Sequence, residues 1–164
     1  MLFETSDAVL STCERYRYQL TRQWDAQLST VVFVMLNPST ADASSNDPTI
    51  RRCISFARSW GFGGLKVVNL FAWRATKPAE LKTVADPVGP DNDRYLLEAF
   101  AQAPATVVAW GANAPAARVQ EVGSLLRAAA IEIQCLGATQ AGHPRHPLYV
   151  PSVKQLEVFY FPEG

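Results

Sequence analysis

Six consecutive apolar residues, Val31-Val32-Phe33-Val34-Met35-Leu36, constrain the fold more than any other stretch of the chain. Successive side chains of a strand point to opposite faces of its sheet, so a strand with one wet face alternates apolar and polar residues. Here both faces are apolar, which predicts a strand near the middle of a sheet covered by helices on either side. The run stops at Asn37-Pro38, small and polar residues follow, and helical signals begin at Asp47-Pro48.

Those signals are local and physical. Asp47 can accept from the free N–H groups of a first turn, and Pro48 at the first helical position loses no hydrogen bond. Ile50, Cys53, Ile54 and Ala57 then recur at the helical period, and Gly61, Gly63 and Gly64 supply a stop, predicting a helix over residues 48–60. Apolar runs at 65–71, 106–111 and 131–136 predict further strands, and helices are expected from Pro90 and over 115–130. From Pro90 the helix turns Tyr95, Leu96, Ala99 and Phe100 inward, and residues 153–159 read as a short closing helix.

Alternating strands and helices imply right-handed crossovers, hence a three-layer α/β/α sandwich around a mainly parallel central sheet. Arg15 to Leu20 alternates large and charged residues, so it is expected to turn through Asp25-Ala26-Gln27 and form an antiparallel edge hairpin with the 31–36 strand. At 164 residues with 48% hydrophobic content, the chain suits a single α/β domain.

Fifteen basic residues balance fifteen acidic ones, so the whole molecule has no field that steers it toward nucleic acid or a membrane. The positive charge is concentrated: Arg51, Arg52, Arg58, Lys66, Arg74, Lys77 and Lys82 face only Glu80 within residues 51–82, where an anionic partner is expected. Cys13, Cys53 and Cys135 are widely spaced and odd in number, which fits reduced thiols rather than a disulfide framework or a metal site. With no leader and no apolar run long enough for a membrane span, a soluble cytoplasmic protein is expected.

In open parallel sheets, ligands lie beyond the carboxyl ends of the strands, where loops diverge. This rule selects Asn37-Pro38-Ser39-Thr40 with Asp42, the stretch from Asn69 to Thr76, Gly111-Ala112-Asn113, and the stretch from Gly142 to Tyr149. An amide fixed at Asn37 could hold a substrate edge and a water, though Asn-Pro also ends strands without further purpose. Ser39 and Thr40 can bind phosphate, but no glycine-rich phosphate loop is present. Asp42 is the freer candidate base, since Asp47 already has work as a helix cap. Arg51 and Arg52 are adjacent, so at most one faces the site and the other is a surface charge.

Asn69 interrupts an apolar strand and, if buried, needs partners from a structural network or a ligand. Trp73 and Arg74 offer an aromatic plane and a cation for a base or sugar phosphate; Trp73 as ordinary core is an equal reading. His143 and His146 lie in a loop where Pro144 and Pro147 forbid a helix, and no third ligand is near, so neither a metal nor another cofactor is expected. The prolines would aim one imidazole, with Arg145 beside it.

The ordered motifs MLNPSTAD, DPTIRRC, FARSWGFGGL, VVNLFAWRAT, DPVGPDND, AWG and PRHPLY resemble a bacterial and phage family known as domain of unknown function 1643. A more distant likeness is to uracil-DNA glycosylases, in which one strand ends in Asp-Pro or Asn-Pro, a later one ends in a base-reading Asn, and a late loop carries His-Pro. Asn37-Pro38, Asn69 and His146-Pro147, or His143-Pro144, stand here in that order. The glycosylases usually have serine after His-Pro, whereas this chain has Arg145 or Leu148 there.

That resemblance implies a glycosylase-like fold in which Asn37 positions the attacking water, Asn69 reads a base edge and the histidine stabilises the departing base. With Pro38, Ser39, Thr40, Arg51, Trp73, Arg74 and Arg145 around the ligand, the expectation is an enzyme acting on a nucleobase, nucleotide or nucleic acid. Two alternatives stand beside it: a non-catalytic nucleotide or nucleic-acid binding module, and a hydrolase or transferase acting on another small anionic metabolite.

Overall fold

The computed structural model describes residues 5–103 and 105–162. Seven strands form one mixed sheet: β1 (Thr5–Leu10), β2 (Arg17–Gln23), β3 (Thr30–Met35), β4 (Gly64–Asn69), β5 (Ala105–Val108), β6 (Ile133–Cys135) and β7 (Glu157–Val158). Their spatial order is β1-β2-β4-β3-β5-β6-β7, and the central four, β4, β3, β5 and β6, run parallel. Among the described residues three α-helices accompany them: α1 (Pro48–Ser59), α2 (Asn92–Gln102) and α3 (Ala116–Ala128). Short 3-10 turns lie at Pro78–Thr83 and Pro147–Tyr149.

β3 sits between β4 and β5, as its doubly apolar sequence requires. Val31, Phe33 and Met35 pack in a cluster with Ile50, Cys53, Ile54, Phe56 and Ala57 of α1. Val32 and Val34 join a second cluster with Leu96, Ala99 and Phe100 of α2 and Val122 and Leu126 of α3. Helix α1 starts where its residues dictate: the Asp47 carboxylate accepts from Ile50 N at 2.9 Å and Pro48 opens the first turn. It ends at the Trp60 cap, followed by Gly61 at φ +87°.

The edges differ from the expectation. β2 does not form a hairpin with β3; it pairs antiparallel with β4 on one side and with β1 on the other. The Asp25 region is a wider connection, closed by Gly63 accepting from Trp24 N and Asp25 N, and a Cβ at Gly63 would meet the Asp25 carbonyl at 2.0 Å. Local alternation marked β2 as a strand but carried no information about its neighbour. The expected closing helix over 153–159 is also corrected: Glu157 and Val158 form β7, antiparallel to β6. α2 begins at Asn92 rather than Pro90, with Tyr95 only partly buried.

β2 carries one irregularity that bears on the site. Val9 pairs with Gln19 and Leu10 with Arg17, leaving Tyr18 without a partner. An extra residue in one strand reverses the alternation beyond it. Tyr18 therefore stacks on Tyr95 of α2 (ring centroids 5.1 Å apart, 11° between planes), while Arg17 reaches the opposite face and donates to the Ala41 carbonyl at 3.0 Å.

Candidate active-site cleft

Because the parallel strands all end on one side, the segments after β3, β4, β5 and β6 meet there around a cleft of about 670 Å³. Asn37, Pro38, Ser39 and Thr40 border it from the β3 side, Asn69 from the end of β4, and Trp110 to Asn113 from the end of β5. Arg145, His146, Leu148 and Tyr149 close it from beyond β6, and Asp47 to Ile50 of the α1 start form a wall. Gly111 turns the chain after β5 at φ +83°, a conformation that strains any residue with a side chain.

Asn37 is held by two backbone carbonyls: its Nδ2 donates to Pro38 O at 2.9 Å and to Ala75 O at 2.8 Å. Only the NH₂ side of an amide can donate, so both bonds fix its orientation and leave Oδ1 free as an acceptor at the cleft. Asn69 is the opposite case. It is 1% exposed and borders the cleft, yet neither Nδ2 nor Oδ1 has a hydrogen-bond partner among the described residues. Leaving such groups unpaired costs about 1–3 kcal/mol, a cost a ligand edge would remove.

The strand end that carries this amide is braced from the other face. Asn92 Nδ2 donates to the Asn69 and Leu70 carbonyls at 3.0 and 3.2 Å, and Arg118 Nε donates to Leu70 O at 2.8 Å. Arg118 is itself held by Asp93 at 2.7 Å and Glu121 at 3.1 Å.

His146 Nδ1 accepts from Leu148 N at 3.2 Å, which places the proton of the neutral ring on Nε2. Burial lowers its pKa below the ordinary 6.5, opposed by the Asp47 charge. The imidazole is thus a neutral donor at neutral pH. Its loop is clamped to α1 by Arg52, whose guanidinium donates to Pro147 O at 3.2 Å and to Val150 O while lying 5.1 Å from the Phe56 ring centre.

Five of the residues singled out in the sequence lie outside the cleft lining. The Asp42 carboxylate accepts from Ser44 N at 3.0 Å and Ser45 N at 2.8 Å, bonds that lower its pKa and hold the loop's own turn. Arg51 is exposed and donates to Asn46 O at 3.1 Å, so of the adjacent arginines it is Arg52 that works next to the site. Trp73 packs edge-on against Tyr16 at 5.3 Å with Arg15 over its ring, the core reading of that residue. Arg74 reaches Ser39 O and Thr40 O at 3.3 and 3.4 Å and props the loop from behind. His143 donates through its backbone to Thr139 Oγ1 at 3.1 Å.

The cations bordering the cleft, Arg17 and Arg145, lie outside the basic stretch 51–82. Among the described residues Asp47 is the one carboxylate bordering it, and both its oxygens are engaged, by Ile50 N at 2.9 Å and Ala41 N at 3.4 Å. Arg17, Asn92, Arg118 and the bracing role of Arg52 went unread in the sequence. A polar residue at an element's start or on an alternating strand carries no local mark of what it reaches.

Cys53 is buried, and burial pushes its thiol pKa up, so it is not a nucleophile. Among the described residues no group of three or more His, Cys, Asp or Glu side chains could hold a metal ion, and no helix is long and apolar enough to cross a membrane. Comparison with curated proteins and with solved structures gave no match. The model of one family does match, over residues 17–148, and the chain belongs to that family, described as protein of unknown function (DUF1643).

Proposed function

We propose that the cleft binds a nucleobase or nucleotide and hydrolyses its N-glycosidic bond, in a three-layer single domain of the uracil-DNA glycosylase type, working in the cytoplasm. The observation that carries this reading is the buried, unpartnered Asn69 amide bordering the cleft. A side-by-side donor and acceptor is what the edge of a base complements, and a buried amide gains most from such a partner.

The other two groups suit the bond to be broken. Asn37 Oδ1, fixed from behind, accepts from a water and orients it toward the sugar carbon. As the carbon–nitrogen bond breaks, its electron pair stays with the base, and the neutral His146 Nε2–H donates to the oxygen on which that charge develops. The water's oxygen bonds to the sugar carbon and its proton leaves to solvent, since Asp47 is engaged in capping. Arg145 is one of the two arginines bordering the cleft that can meet a phosphate. Reaching a base within a duplex would require it to leave the stack.

A second reading, a non-catalytic nucleotide or nucleic-acid binding module, draws support from the absence of a disengaged carboxylate among the described residues bordering the cleft. Assays of base release across modified nucleosides and oligonucleotides separate the two. The hydrolase releases base from at least one substrate, and Asn37→Ala abolishes that turnover while the circular dichroism spectrum stays that of the folded protein. Tight binding without release from any member of the panel would leave only the binding module.

A further inference from the structure

We infer that Arg17 holds an anion at the buried end of the cleft, and that the ligand seated there carries a terminal oxoanion, the phosphate of a mononucleotide. This rests on the reading of the cleft as a nucleotide site and narrows it to a free nucleotide rather than an internal position of a strand.

The unpaired Tyr18 in β2 is what aims Arg17. A regular strand would turn this residue to the α2 face; the bulge carries it to the face of Asn69 and α1, where it borders the cleft at 2% exposure. Its guanidinium makes one hydrogen bond among the described residues, from Nη1 to Ala41 O at 3.0 Å, and Nε has no partner there. Among the described residues, no carboxylate lies within ion-pair distance of it.

A guanidinium out of water needs acceptors for its donors or a counter-charge. Buried Arg22 finds four carbonyls and an amide oxygen, whereas Arg17 Nε finds no acceptor among the described residues. Asp47 supplies a field but no contact; burial lowers the Arg17 pKa to about 10, still protonated at neutral pH. The planar fork of an arginine pairs two oxygens of a phosphate or carboxylate at once, and Nε is half of one such fork. Asn69 borders the same cleft, and its Nδ2 is unspent like Arg17 Nε, so a ligand that brings acceptor oxygens can satisfy donors of both.

Depth selects a terminal group. To bring an internal phosphodiester against a residue this buried, the strand would have to enter and leave through the same cleft. A monoester needs room for one nucleotide, and the cavity of about 670 Å³ is in the range of small-molecule sites.

Calorimetric titration of the full chain tests this with four probes: the common ribonucleosides, their 5′-monophosphates, inorganic phosphate, and single-stranded oligonucleotides of the same bases. At least one monophosphate should bind about tenfold or more tightly than its nucleoside, as expected for a charge-assisted pair, and inorganic phosphate should compete with it. Arg17→Gln should bring the two affinities together, and Arg17→Lys should keep only part of the preference. Asn69→Ala should weaken nucleoside and monophosphate alike and leave their ratio intact.

Equal affinity for nucleoside and monophosphate in the unmutated protein overturns the inference. So does preference for an oligonucleotide, an unchanged ratio in Arg17→Gln, or no binding of any probe. Should Arg17→Gln not fold, the unmutated ratio and Arg17→Lys decide. A phosphate preference that Arg17→Gln removes, without base release, rejects the hydrolase and keeps this anchor; base release with equal affinities does the reverse.

Discussion

The loop from Asp42 to Asp47 and the carboxyl end of β4 are both polar interruptions beside apolar strands, yet they meet opposite fates. In the loop, polar groups find partners within the protein. Asp42 holds Ser44 and Ser45, Asp47 caps α1, and Arg22 binds Asn46 Oδ1 at 3.0 Å together with the carbonyls of Asp42, Ser45, Thr21 and Asp7. At the end of β4, Asn69 is more deeply buried and its side chain has no hydrogen-bond partner among the described residues. Polarity alone therefore does not mark a site. Asn92 Oδ1 and Thr106 Oγ1 are also buried without a partner among the described residues, so what sets Asn69 apart from them is that it borders the cleft as well.

The largest effect that could break this contrast comes from Arg22. Arg22→Ala leaves several loop carbonyls without a donor and should destabilise the fold by about 3 kcal/mol or more, read from the midpoint of urea unfolding. A change below ~1 kcal/mol would mean that the loop's network does not hold it. Asn69→Leu should act with the opposite sign. Removing an unpaired buried amide and filling its space with hydrocarbon should raise stability by about 1 kcal/mol in the same measurement, while any ligand binding or base release is lost. A destabilised Asn69→Leu protein would show that the amide has a structural partner after all.

The smallest expected effect concerns His146. Its pKa followed by NMR should fall below the ordinary 6.5, because burial disfavours the imidazolium. The sign for stability follows from linkage: the unfolded chain binds this proton at higher pH than the folded one. The contribution is complete above the unfolded value and is lost as pH falls from there toward the folded value. A measured pKa above 6.5 would mean that the Asp47 charge outweighs burial, and that the ring is a cation rather than a neutral donor near that pH.

How much was readable depended on the range of the interaction. Helix α1 was legible nearly to the residue, because Asp47, Pro48, the Ile50, Cys53, Ile54 and Ala57 stripe and Gly61 all act within a few positions of one another. Asn37, Asn69 and His146 could be nominated because each breaks an apolar pattern or sits in a proline-fixed loop, and the strand-end rule assigns them one rim. Asp42, Arg51, Trp73 and Arg74 looked equally eligible, and contacts with Ser44, Asn46, Tyr16 and the Ser39 carbonyl hold them off the cleft lining. The last two contacts join segments far apart in the chain.

The sequence by itself determined that β3 is central and that helix follows strand through most of the chain, because burial on both faces and helical periodicity are properties of neighbouring residues. Only the tertiary structure decided that β2 lies against β4, that an unpaired Tyr18 turns Arg17 to the cleft, and that Asn69 is left without a partner. Pairing, register and hydrogen-bond satisfaction join residues distant along the chain, and no local pattern specifies them.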